Sequence, residues 1–402
     1  MAPFLMLLLM ACTEATDTDV HESNDSENTN PDAGALFIGH SQVNHNVPAY
    51  FAWMSPERNV ERQVIGGGNL EEAYVLHAQY GDQNDPGADP DHKYMYFPGR
   101  FSGKGADALQ ELSTGDYGVV VMTDEHGQMQ AQAHDADFMA RHGVSFPGVE
   151  FVDPGGDQWM LDTYQSTDGI ASGLGLYQHA VDADPQARVY LYEHWYPVVN
   201  GATHCQRVNG GQPTKTLDEL NAWRKRIAAY QSAFEGVATD MNAARGQEVP
   251  GFSYGAVDLP RTQVHDGPAV EVIHVAQAFS VAVERICAGG ISGVDNPGAL
   301  FADHVHASLL GDFFVAAVMK AAVDGASPEG AELVGSAPFF EGSWAERHAA
   351  ATEAALRALA WEVVSGAVVA SSVEISSCPG LAPTPEQWCM DDGDHEIIPM
   401  YP

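Results

Sequence analysis

The chain has 402 residues, 45% of them hydrophobic and 9% aromatic, enough to build a core in one large α/β domain or two ordinary ones. Lys and Arg total 18 against 55 Asp and Glu, and the formal net charge of −37 argues against nucleic acid as a partner, since phosphate backbones select clustered cations. It equally disfavours anionic lipid and polyanionic sugar, and reads as a solubility device for a salty or exposed environment.

Residues 1–10 are almost wholly apolar and lead into Ala11-Cys12. The run is too short to span a bilayer, which takes ~20 apolar residues, and no Lys or Arg precedes it. Leu9-Met10-Ala11-Cys12 resembles the bacterial lipoprotein lipobox, which implies a signal peptide over 1–12, lipidation of Cys12 and export to the bacterial cell envelope. The membrane is then reached only through a lipid anchor. Residues 13–34 contain no Lys or Arg and no hydrophobic periodicity, and read as an acidic disordered tether.

A domain over 35–375 begins with an apolar strand at 35–38 that stops at Gly39-His40-Ser41. A first helix follows at 47–53, then a second strand at 60–65 that runs into Gly66-Gly67-Gly68. Residues 80–105 form a polar insertion. Its Asp82, Asp85, Asp89 and Asp91 are oxygen ligands of the kind calcium takes, but their spacing fits no EF-hand, and a solvated acidic loop is the plainer reading. Residues 117–122 are a continuous apolar run, the signature of a buried parallel strand, ending at Thr123-Asp124-Glu125. Residues 126–175 read as loops and short helices. Another strand at 187–192 ends at Glu193-His194-Trp195, which either line a pocket or pack as loop residues. Helical spacing covers 216–235, a strand 270–275, and helices 276–287, 311–322 and 344–364; residues 376–402 read as an irregular tail. Strands alternating with helices predict a three-layer α/β/α sandwich on a mostly parallel sheet, with any ligand beyond the strand C-terminal ends.

Ser41 stands at such an end, where a strand-to-helix turn can hold out a nucleophile; a helix N-cap is the plainer role for a serine there. Far downstream, Asp303-His304-Val305-His306 offers a base and a carboxylate to orient it. His306 is read as the base and Asp303 as its orienter, with His304 the competing imidazole. His304 and His306, with His40 and His45, also form a metal-like set, but no known motif connects them, and neither metal nor cofactor is expected.

Gly39-His40-Ser41, Gly66-Gly67-Gly68-Asn69-Leu70, Tyr190-Leu191-Tyr192-Glu193-His194-Trp195 and the Asp303 to Gly311 stretch occur in an order that resembles the SGNH (GDSL-like) hydrolases, in a bacterial lipoprotein-type subgroup, over roughly 35–365. The resemblance implies a flavodoxin-like fold and a serine esterase acting on a small-molecule or carbohydrate ester through Ser41, His306 and Asp303. It also implies an oxyanion hole of the Ser41 and Gly67 N–H groups, with Thr123 and Asn69 as further side-chain donors. The chain departs from the family at Thr123-Asp124, where an asparagine is usual, and an ionised Asp124 would repel an oxyanion. The alternative is a cell-surface binding lipoprotein that keeps the fold without turnover. Nothing in the sequence speaks to oligomeric state.

With Cys12 set aside, Cys205, Cys287, Cys378 and Cys389 suit two disulfides in an oxidising compartment. Of three possible pairings, the short Pro-containing tail segment favours Cys378 with Cys389, leaving Cys205 with Cys287. On the lipoprotein reading, Cys12→Ser should move the protein from the membrane to the soluble fraction of its native host. A wild type that is wholly soluble with its leader intact would remove that reading.

Overall fold

Strand β1 (Gly34–Gly39) is buried at every position, because β2 (Val60–Val64) and β3 (Tyr117–Met122) flank it on both sides, each parallel to it. Beyond β3 lie β4 (Arg188–Tyr192) and β5 (Glu271–Ile273), also parallel, giving the order β2-β1-β3-β4-β5. The computed structural model describes residues 33–40, 42–43, 46–64, 70, 108–124, 136–144, 168–195, 217–249, 253–254, 257–258, 262–302, 306–331, 333, 335–338, 343–378 and 381. The chain divides into two units, Met1–Asn30 and Pro31–Pro402. The first lies outside the described residues, and with it Cys12 and most of the tether.

Alternation along the strands sends side chains to two separate cores. Ala35, Phe37, Val119, Val121, Tyr190 and Tyr192 face one, and Leu36, Ile38, Val120, Met122, Val189 and Leu191 the other. Each Val, Leu, Ile, Phe or Met among them contributes about 1.5–3 kcal/mol by leaving water. Helices α1 (Asn46–Met54), α6 (Val275–Cys287), α7 (Leu309–Asp324) and α8 (Ala350–Val364) cover the first face. Helices α2 (Ala108–Ser113), α3 (Ala136–His142) and α4 (Asp168–Ala183) cover the second. The long α5 (Leu217–Ala244) contributes Trp223 and Ile227 to one core and Tyr230 and Phe234 to the other. This is a three-layer α/β/α sandwich on an all-parallel sheet. The short antiparallel strand pairs between α5 and β5 stand apart from it.

Three elements differ from the sequence expectation. Helix α4 was hidden by Gly169, Gly173 and Gly175, which weaken any helical pattern. Gly173 is there for proximity, since a Cβ would sit 3.2 Å from Met241 Cε on α5. The last helix starts at Ala350 and not at residue 344, because α1 takes main-chain groups of 343–349 and keeps it out of the helix: Trp344 N–H donates to Asn46 Oδ1 at 2.7 Å and Glu346 N–H to the Tyr50 hydroxyl at 3.0 Å. Glu353 then accepts the His348 N–H at 2.9 Å across the helix start. Helix α5 continues to Ala244, past the expected end at 235.

The disulfide is also a correction. Cys287, at the end of α6, bonds Cys378 and not Cys205, so Cys378 is not paired with Cys389. Cys205 and Cys389 lie outside the described residues. The bond ends an irregular strap, residues 366–378, that runs back over α5 and α6. Asn221 holds Ile375 from both sides, accepting its N–H at 2.8 Å and donating to its carbonyl at 3.0 Å. Arg224 donates to the carbonyls of Ser371 at 2.6 Å and Val373 at 3.1 Å, and pairs with Glu284. The tertiary fold therefore chose Cys378's partner by seating the strap against α6 before residue 389 is reached.

A bond closing 91 residues removes much denatured-state freedom. Cys287→Ser should therefore lower unfolding stability by about 4–5 kcal/mol on the chain-entropy account, and Asn221→Ala by about 1–3 kcal/mol for two unmet main-chain groups. Denaturant titration of oxidised protein measures both. Wild-type stability in Cys287→Ser would show that the strap is held by its hydrogen bonds alone.

Candidate active site at the strand C-terminal ends

In the order β2-β1-β3-β4-β5 the connections from β1 and β3 leave in opposite directions, and the crevice between those two strand ends is where open α/β sheets bind ligands. The residues leaving β1 and β3 there are His40 and Asp124. Gly39 lets them meet: a Cβ on it would fall 2.6 Å from Thr123 Cγ2 and 2.9 Å from Val43 Cγ2. His40 is 1% exposed, and its Nε2 lies 3.0 Å from the Asp124 carbonyl oxygen. A carbonyl only accepts, so Nε2 carries the proton. Its Nδ1 accepts the Gln42 N–H at 3.4 Å. The partners thus select the neutral Nε2–H tautomer. Burial pushes the pKa of His40 down to about 4; the Asp124 carbonyl opposes this, and a charge on His306 would add to it.

His40 and Gln42 are the chain neighbours of Ser41, which itself lies outside the described residues, as do Gly67, Asn69, Asp303 and His304. The turn they flank is anchored on several sides. Gln42 Nε2 donates to the Trp195 carbonyl at 3.1 Å, and the Tyr192 hydroxyl donates to the Gln42 carbonyl at 3.4 Å. His306, the expected base, is described and half-buried, and its electrostatic effect reaches His40. Its position comes from a chain reversal: Phe301 and Ala307 form an antiparallel bridge, and the Ala302 N–H donates to the His306 carbonyl at 2.9 Å. Gly311 allows the next helix to close over this reversal, since a Cβ there would overlap the Leu300 carbonyl. Ser308 caps that helix, accepting the Gly311 N–H at 3.1 Å.

Thr123, expected as an oxyanion donor, has its hydroxyl committed elsewhere. It donates to the Tyr192 carbonyl at 2.8 Å, and its N–H to the Ile38 carbonyl at 3.0 Å, joining the ends of β1, β3 and β4. With one hydroxyl proton and no exposure, it is a structural tie and not a donor to substrate. The Asp124 side chain has a main-chain partner. Its Oδ1 accepts the Leu70 N–H at 3.0 Å, immediately after the glycine block.

Two further imidazoles lie along the same edge. His194 is fully buried against His40, Tyr230 and Phe234, with ring centroids 5.3, 5.5 and 5.2 Å away, and burial, then His40, holds its pKa well below the usual value. His274, at the start of α6, had no signal in the sequence beyond the end of a predicted strand. Its Nδ1 lies 3.0 Å from Oε2 of the fully buried Glu193, and its Nε2 lies 3.8 Å from Glu235 on α5. This is a carboxylate–imidazole pair. Burial raises the Glu193 pKa to about 7 against the opposing pull of His274. Burial depresses His274, but the bond to Glu193 and the charges of Glu193 and Glu235 outweigh it and raise the pKa. Among the described residues no three His, Cys, Asp or Glu side chains are grouped to hold a metal ion, and no helix is long and apolar enough to cross a membrane.

Comparison of the chain with protein-family models, with curated proteins and with solved structures found no match.

The Glu193–His274 pair has a pH signature. Glu193 keeps its proton to about pH 7 in the folded chain but loses it near 4.5 when unfolded, so the folded state binds more protons in that window. Stability therefore falls as pH rises through it. His274 acts with the same sign, since its raised pKa adds stability that is lost as pH climbs from 6.5 through its folded value. Melting curves from pH 5 to 8 should show Tm falling, with a flatter fall in Glu193→Gln; the difference separates the pair from general acidic repulsion. Equal slopes in both proteins would remove the pair from the pH response.

Proposed function

We propose that the protein is a serine hydrolase that cleaves an acyl ester, small or carried on carbohydrate, with Ser41 as nucleophile, His306 as general base and Asp303 as its orienter. The observation that carries this reading is the meeting of His40 with Asp124 at the β1/β3 crevice, with His306 in electrostatic reach of His40. The chain neighbours of the serine and the imidazole of the Asp303–His306 segment then share one neighbourhood, at the sheet edge where such chemistry belongs.

A serine hydroxyl is a weak nucleophile until a neutral imidazole takes its proton, and a carboxylate behind the imidazole holds its tautomer and steadies the cation that forms. The developing oxyanion would be met by the N–H groups of Ser41 and Gly67, which need no charge of their own. The reaction needs no cofactor. With Cys12 lipidated, the enzyme would work at the cell envelope, consistent with a disulfide and an acidic surface.

Two measurements test the reading. A fluorophosphonate probe should label the wild type and not Ser41→Ala. With p-nitrophenyl acetate, Ser41→Ala and His306→Ala should each lower kcat by ~10⁴-fold or more, with the double variant little worse because the residues act as a unit. His304→Ala should keep most of the activity. Since His274 also has a carboxylate partner at this edge, His274→Ala is run alongside; activity lost there but kept in His306→Ala would move the base to His274. A wild type that neither labels nor turns over would leave the second reading, a binding lipoprotein on the same fold.

A further inference from the structure

Asp124 stands where an oxyanion-stabilising asparagine would be expected, and an anion at that place would oppose the reaction. Its bonds resolve the conflict. Asp124 is 5% exposed and touches two different segments through two different groups. Its main-chain carbonyl accepts from His40 Nε2 at 3.0 Å, and through His40 Nδ1 this contact extends to the Gln42 N–H at 3.4 Å. His194 draws on the same carbonyl. Its side-chain Oδ1 accepts the Leu70 N–H at 3.0 Å. One residue at the end of β3 therefore grips the turn after β1 and the segment after β2.

We propose that Asp124 is a positioning residue, a bracket that fixes the distance between the turn bearing Ser41 and the segment that follows Gly67. This rests on the hydrolase reading, and deepens it by saying what sets the oxyanion hole's width. The two oxyanion N–H groups belong to separate segments, each beyond the last paired residues of β1 and β2, Gly39 and Val64. An oxyanion hole is useful only if both donors are already in place when charge develops, and a misplaced donor is worth little. The carboxylate accepts the Leu70 N–H, a charge-assisted bond that draws off part of its charge. An asparagine side chain presents a carbonyl oxygen with the same geometry, so acceptor placement and not charge is what the bracket needs.

The test compares Asp124→Ala with Asp124→Asn, with rates expressed per folded protein. Asp124→Ala should lower kcat on p-nitrophenyl acetate by ~10²-fold, the cost of losing one oxyanion donor, with KM within about twofold because the contact matters in the transition state. Asp124→Asn should recover kcat to within about fivefold of wild type, since Oδ1 still accepts. A residue that only stabilises the fold would change Tm and leave that kcat in place. The bracket is overturned if Asp124→Ala keeps wild-type kcat, or if Asp124→Asn is as impaired as Asp124→Ala. Hydrogen exchange at the Leu70 amide reads the bracket without any substrate: it should quicken in Asp124→Ala and stay slow in Asp124→Asn, and unchanged exchange in Asp124→Ala overturns the proposal. A wild type without esterase activity but with this exchange pattern would defeat the hydrolase reading and leave the bracket as a structural fact.

Discussion

The ends of β1, β3 and β4 are buried in the same place that an α/β sheet reserves for its ligand, so their polar groups must be satisfied inside the protein. That constraint accounts for the residues found there. The carbonyls of Ile38, Asp124 and Tyr192 are met by the Thr123 N–H, the His40 imidazole and the Thr123 hydroxyl. The Gln42 carbonyl is met by the Tyr192 hydroxyl, and that of Trp195 by the Gln42 amide. Each bond crosses from one strand end to another, so the lattice that satisfies the backbone also sets the spacing of the candidate site. Deleting one partner would leave a buried group unmet, at about 1–3 kcal/mol, and would loosen a neighbour.

Neutral imidazoles suit such a place. A histidine can donate and accept at once without carrying charge, and burial keeps His40 and His194 uncharged at neutral pH. The buried carboxyl group of Glu193 is in turn bonded to His274. The scarce cations follow the same logic. Lys320 and Arg58 converge on Asp324 at 2.7 and 3.0 Å, with Lys320 also donating to Ser55 at 2.9 Å, and Arg58 to the Ala33 carbonyl at 3.0 Å. These few cations pin the exit of α1 and the entry of β1 to the end of α7, while the acidic excess is left to repel across the surface.

Much of the sandwich was legible along the chain. Residues 35–38 and 117–122 are unbroken apolar runs because both faces of a parallel sheet are dry, 187–192 is apolar but for Arg188 at its start, and each forms a strand with nearly those bounds. Helices at Asn46–Met54, Val275–Cys287 and Leu309–Asp324 were equally plain, since an apolar stripe at helical spacing is a local property. Helix α4 was not, because its glycines serve contact with α5 and obscure the pattern. The segment 343–349 has a helical pattern but no helix, because Asn46 and Tyr50, remote in the chain, take its main-chain groups.

The sequence by itself determined the fold class, the burial of the strands, and which residue types stand at the strand ends, because burial and turn chemistry are written locally as period and punctuation. Only the tertiary structure decided who meets whom. His40 reaches Asp124 across 84 residues, Glu193 reaches His274 across 81, and Cys287 takes Cys378 across 91. It was likewise the fold that made Thr123, expected as an oxyanion donor, and Asp124, expected to repel one, into ties between segments. No spacing rule encodes such pairs: they follow from strand order, and strand order is a property of the whole packed sheet.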